Sequence, residues 1–277
     1  MPVNIRSLAL SATLLALSAA PAAAQGDTTA VAPLEDNSFL VEEAYNQGPG
    51  VVQHINTVER ARGGQWTYAF EQEWPLGGQR HQLSYQVPLM AGGGGAAGVG
   101  DISVSYRYQV LGVGGRPVAA APRLSLIVPT GDASLGHGGG GVGVEGALPV
   151  SWVVMPNRLV SHTNVGAAWT PHSADAAGNR AGAASVFVAQ SAVWLVRPMF
   201  NLFVEGVWSR GQSVIGADET EWSSSATLSP GVRFGLNLPG DLQVVPGIAV
   251  PFGIGPSSGE RALFLYLSLE HPFTRQR

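Results

Sequence analysis

The chain has 277 residues, no cysteine, 12% charged residues and a formal net charge of -4. The absence of cysteine excludes a disulfide framework, a thiolate metal site, a cysteine nucleophile and a lipid-bearing N-terminal cysteine. The mild acidity offers nucleic acid no basic patch. Charge is about half its usual share while hydrophobic residues stand at an ordinary 45%, too little charge to dress a soluble surface.

All 15 cationic residues are arginines, and glycine reaches 37. Disordered chains lack aromatic and β-branched residues, and this chain has both. The glycines therefore fit turns, sheet bends and loops.

The N-terminus reads as a secretory signal peptide over residues 1–24. Arg6 supplies the positive end, Leu8 to Ala20 an apolar core, Pro21 a break, and Ala22-Ala23-Ala24 a small-residue cleavage site before Gln25. The core is too short to cross a bilayer as a helix. No later apolar run reaches helical spanning length, so the chain reads as exported and without membrane helices.

The mature chain alternates with period two. Trp66, Tyr68, Phe70 and Trp74 oppose Thr67, Ala69, Glu71 and Glu73. Leu83, Tyr85, Val87 and Leu89 oppose Gln82, Ser84, Gln86 and Pro88. Ile102, Val104, Tyr106, Tyr108 and Val110 oppose Asp101, Ser103, Ser105, Arg107 and Gln109. Such alternation specifies strands. Twelve segments can be laid out: 51–60, 65–74, 81–90, 101–111, 122–129, 144–155, 159–169, 186–196, 200–209, 227–238, 242–252 and 262–273. Most are near the roughly 9–11 residues a tilted strand needs to cross a membrane.

Short connections fall near Pro75–Gly78, Pro156–Asn157, Arg197–Met199 and Pro239–Asp241. Long polar or glycine-rich ones fall at 91–100, 130–143, 170–185, 210–226 and 253–261. The alternation is that of periplasmic turns and extracellular loops. Residues 61–64 are short where a loop is expected, and 112–121 long where a turn is expected. Residues 37–47 are left over. An even strand number makes them a periplasmic or lumen-inserted segment within 25–50 rather than a thirteenth strand.

The last segment sets Leu263, Leu265, Leu267 and Leu269 against Phe264, Tyr266, Ser268 and Glu270, with Phe273 near the end. It looks like the C-terminal strand that barrel-assembly machinery reads, with Thr274 to Arg277 as a departure. The expected fold is all-β: a transmembrane antiparallel up-and-down β-barrel of about twelve strands over 51–277, in the outer membrane and in contact with its lipid. Only helices and closed barrels satisfy their backbone in lipid. A soluble sandwich or lipocalin-like barrel would turn its apolar faces inward, and twelve such strands demand a very large core. Trp66 and Trp74 sit at opposite ends of one segment, and Trp169, Trp208 and Trp222 near strand ends or in a loop, as interface girdles do.

Residues 42–54 read EEAYNQGPGVVQH, 98–109 GVGDISVSYRYQ and 126–132 LIVPTGD. From about residue 35 onward the chain resembles the family of outer-membrane transporters associated with the meta-pathway of phenol degradation. That resemblance implies a barrel and a transport-like role, and carries over neither substrate nor binding residues.

Gly141-Val142-Gly143-Val144-Glu145-Gly146 matches a dinucleotide-binding pattern, but a strand-like run with Pro149 follows where a helix is required. No cofactor is expected. His162 and Asn164 share a strand face while Ser161 takes the other, which leaves an outer-membrane hydrolase without its mutual geometry. His81, His137, His172 and His271 fall in turns, loops or strand ends and suggest no metal site. Glu71, Glu73, Arg107, Glu145, Glu205 and Arg233 oppose apolar neighbours on their strands. A charge near the bilayer midplane costs about 2–4 kcal/mol, so these six are the lumen-lining candidates. Two readings stand side by side: an ion-pair filling of a small barrel, and a polar lining that selects small solutes, aromatic or hydrophobic ones among them. Their mixed signs speak against strong ion selectivity.

Overall fold

The structure, a computed structural model, describes residues 38–92 and 95–273. The expected signal peptide and residues 25–37 lie outside the described residues.

Twelve staves close into one antiparallel barrel. They are β1 (Val51–Ala61), β2 (Trp66–Pro75), β3 (His81–Ala91), β4 (Gly98–Val99 with Ile102–Tyr108) and β5 (Val118–Ala120 with Arg123–Val128). Then follow β6 (Gly143–Met155), β7 (Leu159–Ala174), β8 (Arg180–Arg197) and β9 (Phe200–Gly216). The last are β10 (Glu219–Phe234 with Leu236–Leu238), β11 (Leu242–Ala249 with Phe252–Gly253) and β12 (Ala262–Pro272). Each stave pairs with its sequence neighbours, and β12 returns to β1 from Val51↔Pro272 to Ala61↔Ala262. Closure removes the sheet edge, so the backbone is satisfied within the wall.

The four anticipated short turns are present. Asn157 and Asp241 adopt left-handed backbone at φ 58° and 57° in two of them, the conformation that tight hairpins require. The awkward 112–121 stretch resolves because β5 already begins at Val118, pairing with Trp152, which leaves only 112–117 as the turn.

The long-loop expectation fails at 170–185 and 210–226. There β7 and β8 run to Ala174 and from Arg180, and β9 and β10 to Gly216 and from Glu219. The strands continue beyond the apolar belt. Both faces there can be polar, so the alternation that marks a spanning strand disappears although the ladder continues. Trp208 accordingly sits inside β9, and Trp222 lies in the polar extension of β10 beneath the Arg210 guanidinium at 5.2 Å.

The faces separate by chemistry. Val104, Leu126, Val188, Val204 and Leu265 point outward and are exposed, while Gln82, Arg107, Ser151, Asn164 and Glu205 point inward and are buried. The outward belt is that of a surface solvated by lipid rather than water. Leu265→Arg, on the outward face of β12, is therefore expected to lower barrel stability by about 2–4 kcal/mol, read from denaturant-dependent refolding into lipid vesicles. A change under about 0.5 kcal/mol, typical of water-facing surface positions, would contradict a lipid-facing β12.

Candidate functional site

A closed barrel has no free backbone on its inner wall, so anything inside must be held by side chains. Residues 38–47 are held in this way. They form no strand, and they run round the wall from β8 and β9 to β3. Ser38 Oγ donates to Ser191 Oγ on β8 at 3.1 Å. The Leu40 and Val41 N–H groups both donate to Glu205 Oε1 on β9, at 2.8 and 3.1 Å. Glu42 N–H donates to Asn164 on β7 at 2.7 Å, and the Asn164 amide donates back to the Glu42 carbonyl at 2.9 Å. Ala44 N–H donates to Ser151 on β6, Asn46 N–H to Gln109 beyond β4, and Gln47 N–H to Gln82 on β3. The Gln47 amide then reaches Gln53 on β1, which donates to Ser268 on β12 at 2.8 Å.

Arginine fixes the middle of this arc. Arg107 donates from Nε to Asn46 Oδ1 at 2.7 Å, and from its two terminal nitrogens to the carbonyls of Glu43 and Tyr45 at 3.1 and 3.0 Å. It also lies 3.6 Å from Glu42 and 3.8 Å from Glu73. Arg123 on β5 pairs with Glu42 and Glu145, each at 2.8 Å. The rigid guanidinium fork suits this role, since one cation can serve several acceptors at once.

The opposite sector of the lumen is apolar. Phe39 stacks on Tyr266 at 4.6 Å and on Phe264 at 5.6 Å between ring centroids, and meets Phe203 edge-on at 4.5 Å. Ile55, Val193 and Val245 pack into the same cluster. Gly247 makes room for it, because a Cβ there would collide with the Phe39 ring and come within 2.9 Å of the Val232 carbonyl. Gly247→Ala should unseat Phe39 at a cost of about 1–3 kcal/mol. Phe39→Ala alone would lose part of the same energy, so the double variant should be less destabilised than the two singles summed. Strict additivity in thermal unfolding would count against this packing.

All six expected lumen residues lie on inward positions. Glu73, Arg107, Glu205 and Arg233 are almost fully buried. Glu205 holds the arc, and Arg233 Nε comes within 3.3 Å of the Asn201 carboxamide. Glu145 is bound to Arg123, whereas Glu71 borders an open cavity. Absent from those six are Arg123, which pairs with Glu42, and the uncharged Gln82, Gln109, Ser151, Asn164 and Ser191. Their one signal was a polar residue at an inward position of successive strands.

His162 Nδ1 lies 2.7 Å from Ser151 Oγ, across the β6–β7 ladder from it, and Ser161 instead donates to the Ser191 carbonyl at 2.7 Å. Ser151 is 0% exposed, sealed beneath Ala44, whose N–H donates to its oxygen. The pair therefore reads as a support for the arc.

Among the described residues, two cavities border the arc. One of about 950 Å³ opens at the loop end, bordered by Glu59, Arg62, Val207, Phe252 and Arg261. The other, of about 260 Å³, lies deeper, between residues 38–42 and the wall of β1–β3 and β12. Leu40 borders both. The deeper one has Phe39, Phe264 and Tyr266 on one side and Glu42, Glu71 and Gln86 on the other.

Neither a known protein-family profile nor a curated protein sequence matches the chain. Solved structures do. The COG4313 outer membrane channel from Pseudomonas putida F1 is similar at a TM-score of 0.60 and 13% identity, over 82% of this chain and 97% of the other. The NanC porin is similar at 0.53 and 9%, over 79% of this chain and 98% of the other. At these identities what is shared is the fold, so the chain has the closed twelve-strand barrel architecture seen in outer-membrane channels.

Proposed function

We propose that the chain is an outer-membrane facilitator for small solutes, with amphipathic aromatic compounds as the favoured class. The observation that carries this reading is a pair of cavities that share Leu40 in their walls. A solute entering at the loop end passes into a space with aromatic faces on one side and carboxylate and amide groups on the other. Concave sites with apolar walls and a few convergent polar groups are the usual form of small-molecule sites. The COG4313 and NanC proteins are named a channel and a porin, which agrees with this reading.

The arc of residues 38–47 favours a second reading, a barrel whose lumen is plugged. Uptake into liposomes separates the two. Small hydroxylated and carboxylated aromatics should enter faster than into empty liposomes, and Phe39→Ala should alter their rates relative to a small sugar. No flux above background for any member of the panel would sink the facilitator reading. An enzymatic role is not proposed.

A further inference from the structure

His54 on β1 and His271 on β12 face outward across the seam where the first strand meets the last. They lie diagonally in the ladder, with His54 opposite Leu269 and His271 opposite Val52. Their rings stack at 5.3 Å with the Nε2 atoms 3.3 Å apart. Two imidazoles bound to one tetrahedral divalent ion at about 2.0–2.1 Å hold their nitrogens about 3.3 Å apart. The 3.3 Å spacing, which here is that of an N–H···N hydrogen bond, also matches the bite of two imidazoles on one ion.

A second observation fixes the chemistry of one ring. His271 Nδ1 lies 3.1 Å from the Pro272 carbonyl. A carbonyl can only accept, so Nδ1 carries the proton and Nε2 presents its lone pair. Metal-ligating histidines are oriented by this kind of outer partner. Both side chains are half-buried, and they sit beside the aromatic belt at the short-turn end. There Phe70 flanks His54 at 6.1 Å, and Trp74 meets Tyr85 at 5.9 Å. Among the described residues no group of three or more His, Cys, Asp or Glu could hold a metal. The remaining ligands would therefore be water or other small donors.

We infer that His54 and His271 form a two-histidine site for a borderline divalent transition-metal ion such as Zn²⁺, clipping β1 to β12 at the barrel's closing seam. The site is independent of any solute path, because both rings face away from the lumen. A bound ion joins residues 217 apart in sequence and favours only the closed barrel, so it raises apparent stability by mass action.

The test uses the refolded, tag-free chain in detergent micelles, titrated with Zn²⁺ by calorimetry and followed by thermal unfolding. Wild type should bind one ion and unfold at a higher temperature with Zn²⁺ present. His54→Gln and His271→Gln should each weaken binding by more than about tenfold, since even an outer partner is worth about 10–100-fold. His81→Gln, on a different part of the wall, should leave it unchanged. Cu²⁺ bound to wild type should show two nitrogen couplings by electron paramagnetic resonance, a readout that needs no variant to fold. Wild type binding no tighter than either variant, or a copper signal with fewer than two nitrogens, would overturn the site and leave a plain hydrogen-bonded pair.

Discussion

Arg107→Ala is expected to lower the stability of the barrel by about 3–5 kcal/mol, the usual cost of removing one member of a buried ionic cluster. The side chain is 3% exposed. It donates to Asn46 and to the carbonyls of Glu43 and Tyr45, and it balances Glu42 and Glu73. Alanine removes one donor from each of two carbonyls and the cation that lies between Glu42 and Glu73. Arg107→Lys should recover only part of the loss, because an ammonium cannot match the planar fork. Denaturant-dependent tryptophan fluorescence in micelles measures both. If Arg107→Ala costs less than about 1 kcal/mol, the range of an exposed ion pair, then Arg107 is solvated and does not pin the arc.

Glu205→Ala carries the next largest effect. One carboxylate oxygen accepts from two successive N–H groups, Leu40 and Val41, and each orphaned buried donor costs about 1–3 kcal/mol. The arc should loosen first at residues 38–42. Protease nicking there, and exchange of the Leu40 and Val41 amides, should accelerate while strand amides remain protected. Glu205→Gln keeps an acceptor oxygen at the same reach and should fall between wild type and alanine. Exchange at those two amides unchanged in Glu205→Ala would contradict the contact.

Much of the fold was legible in the sequence because the barrel imposes one strong pattern. Val104, Tyr106 and Leu126 must meet lipid, Ser105, Arg107 and Ser125 must not, and strand geometry turns that demand into strict alternation. The pattern broke down where its cause did. Towards the 170–185 and 210–226 hairpins the extensions of β7 to β10 lose the apolar–polar alternation, so these stretches look like loops. In β12 the sign of the alternation rests on Ser268 and Glu270 alone, because Phe264 and Tyr266 are as apolar as Leu263 and Leu265; Phe39 stacks on the aromatic part of that inner face.

Strand parity offered a lumen-inserted place for residues 37–47 as one of two alternatives, but the contacts that hold the arc could not be read from local pattern. Its hydrogen-bonding partners are single side chains spread from Gln53 to Glu205, each ordinary by itself and meaningful only once closure brings them round one lumen. His162 was set against Ser161 by adjacency, whereas the β6–β7 register places it opposite Ser151. His271 looked like an isolated strand-end residue because its partner, His54, lies at the other end of the chain.

The facilitator reading requires residues 38–47 to narrow the lumen without sealing it. The direct measurement is planar-bilayer conductance of the refolded chain from residue 25 beside a chain starting at residue 48. The prediction is a small, steady conductance from the longer chain and a markedly larger one from the truncated barrel. Silence from both forms would mean a lumen filled by its own wall, and would contradict the facilitator.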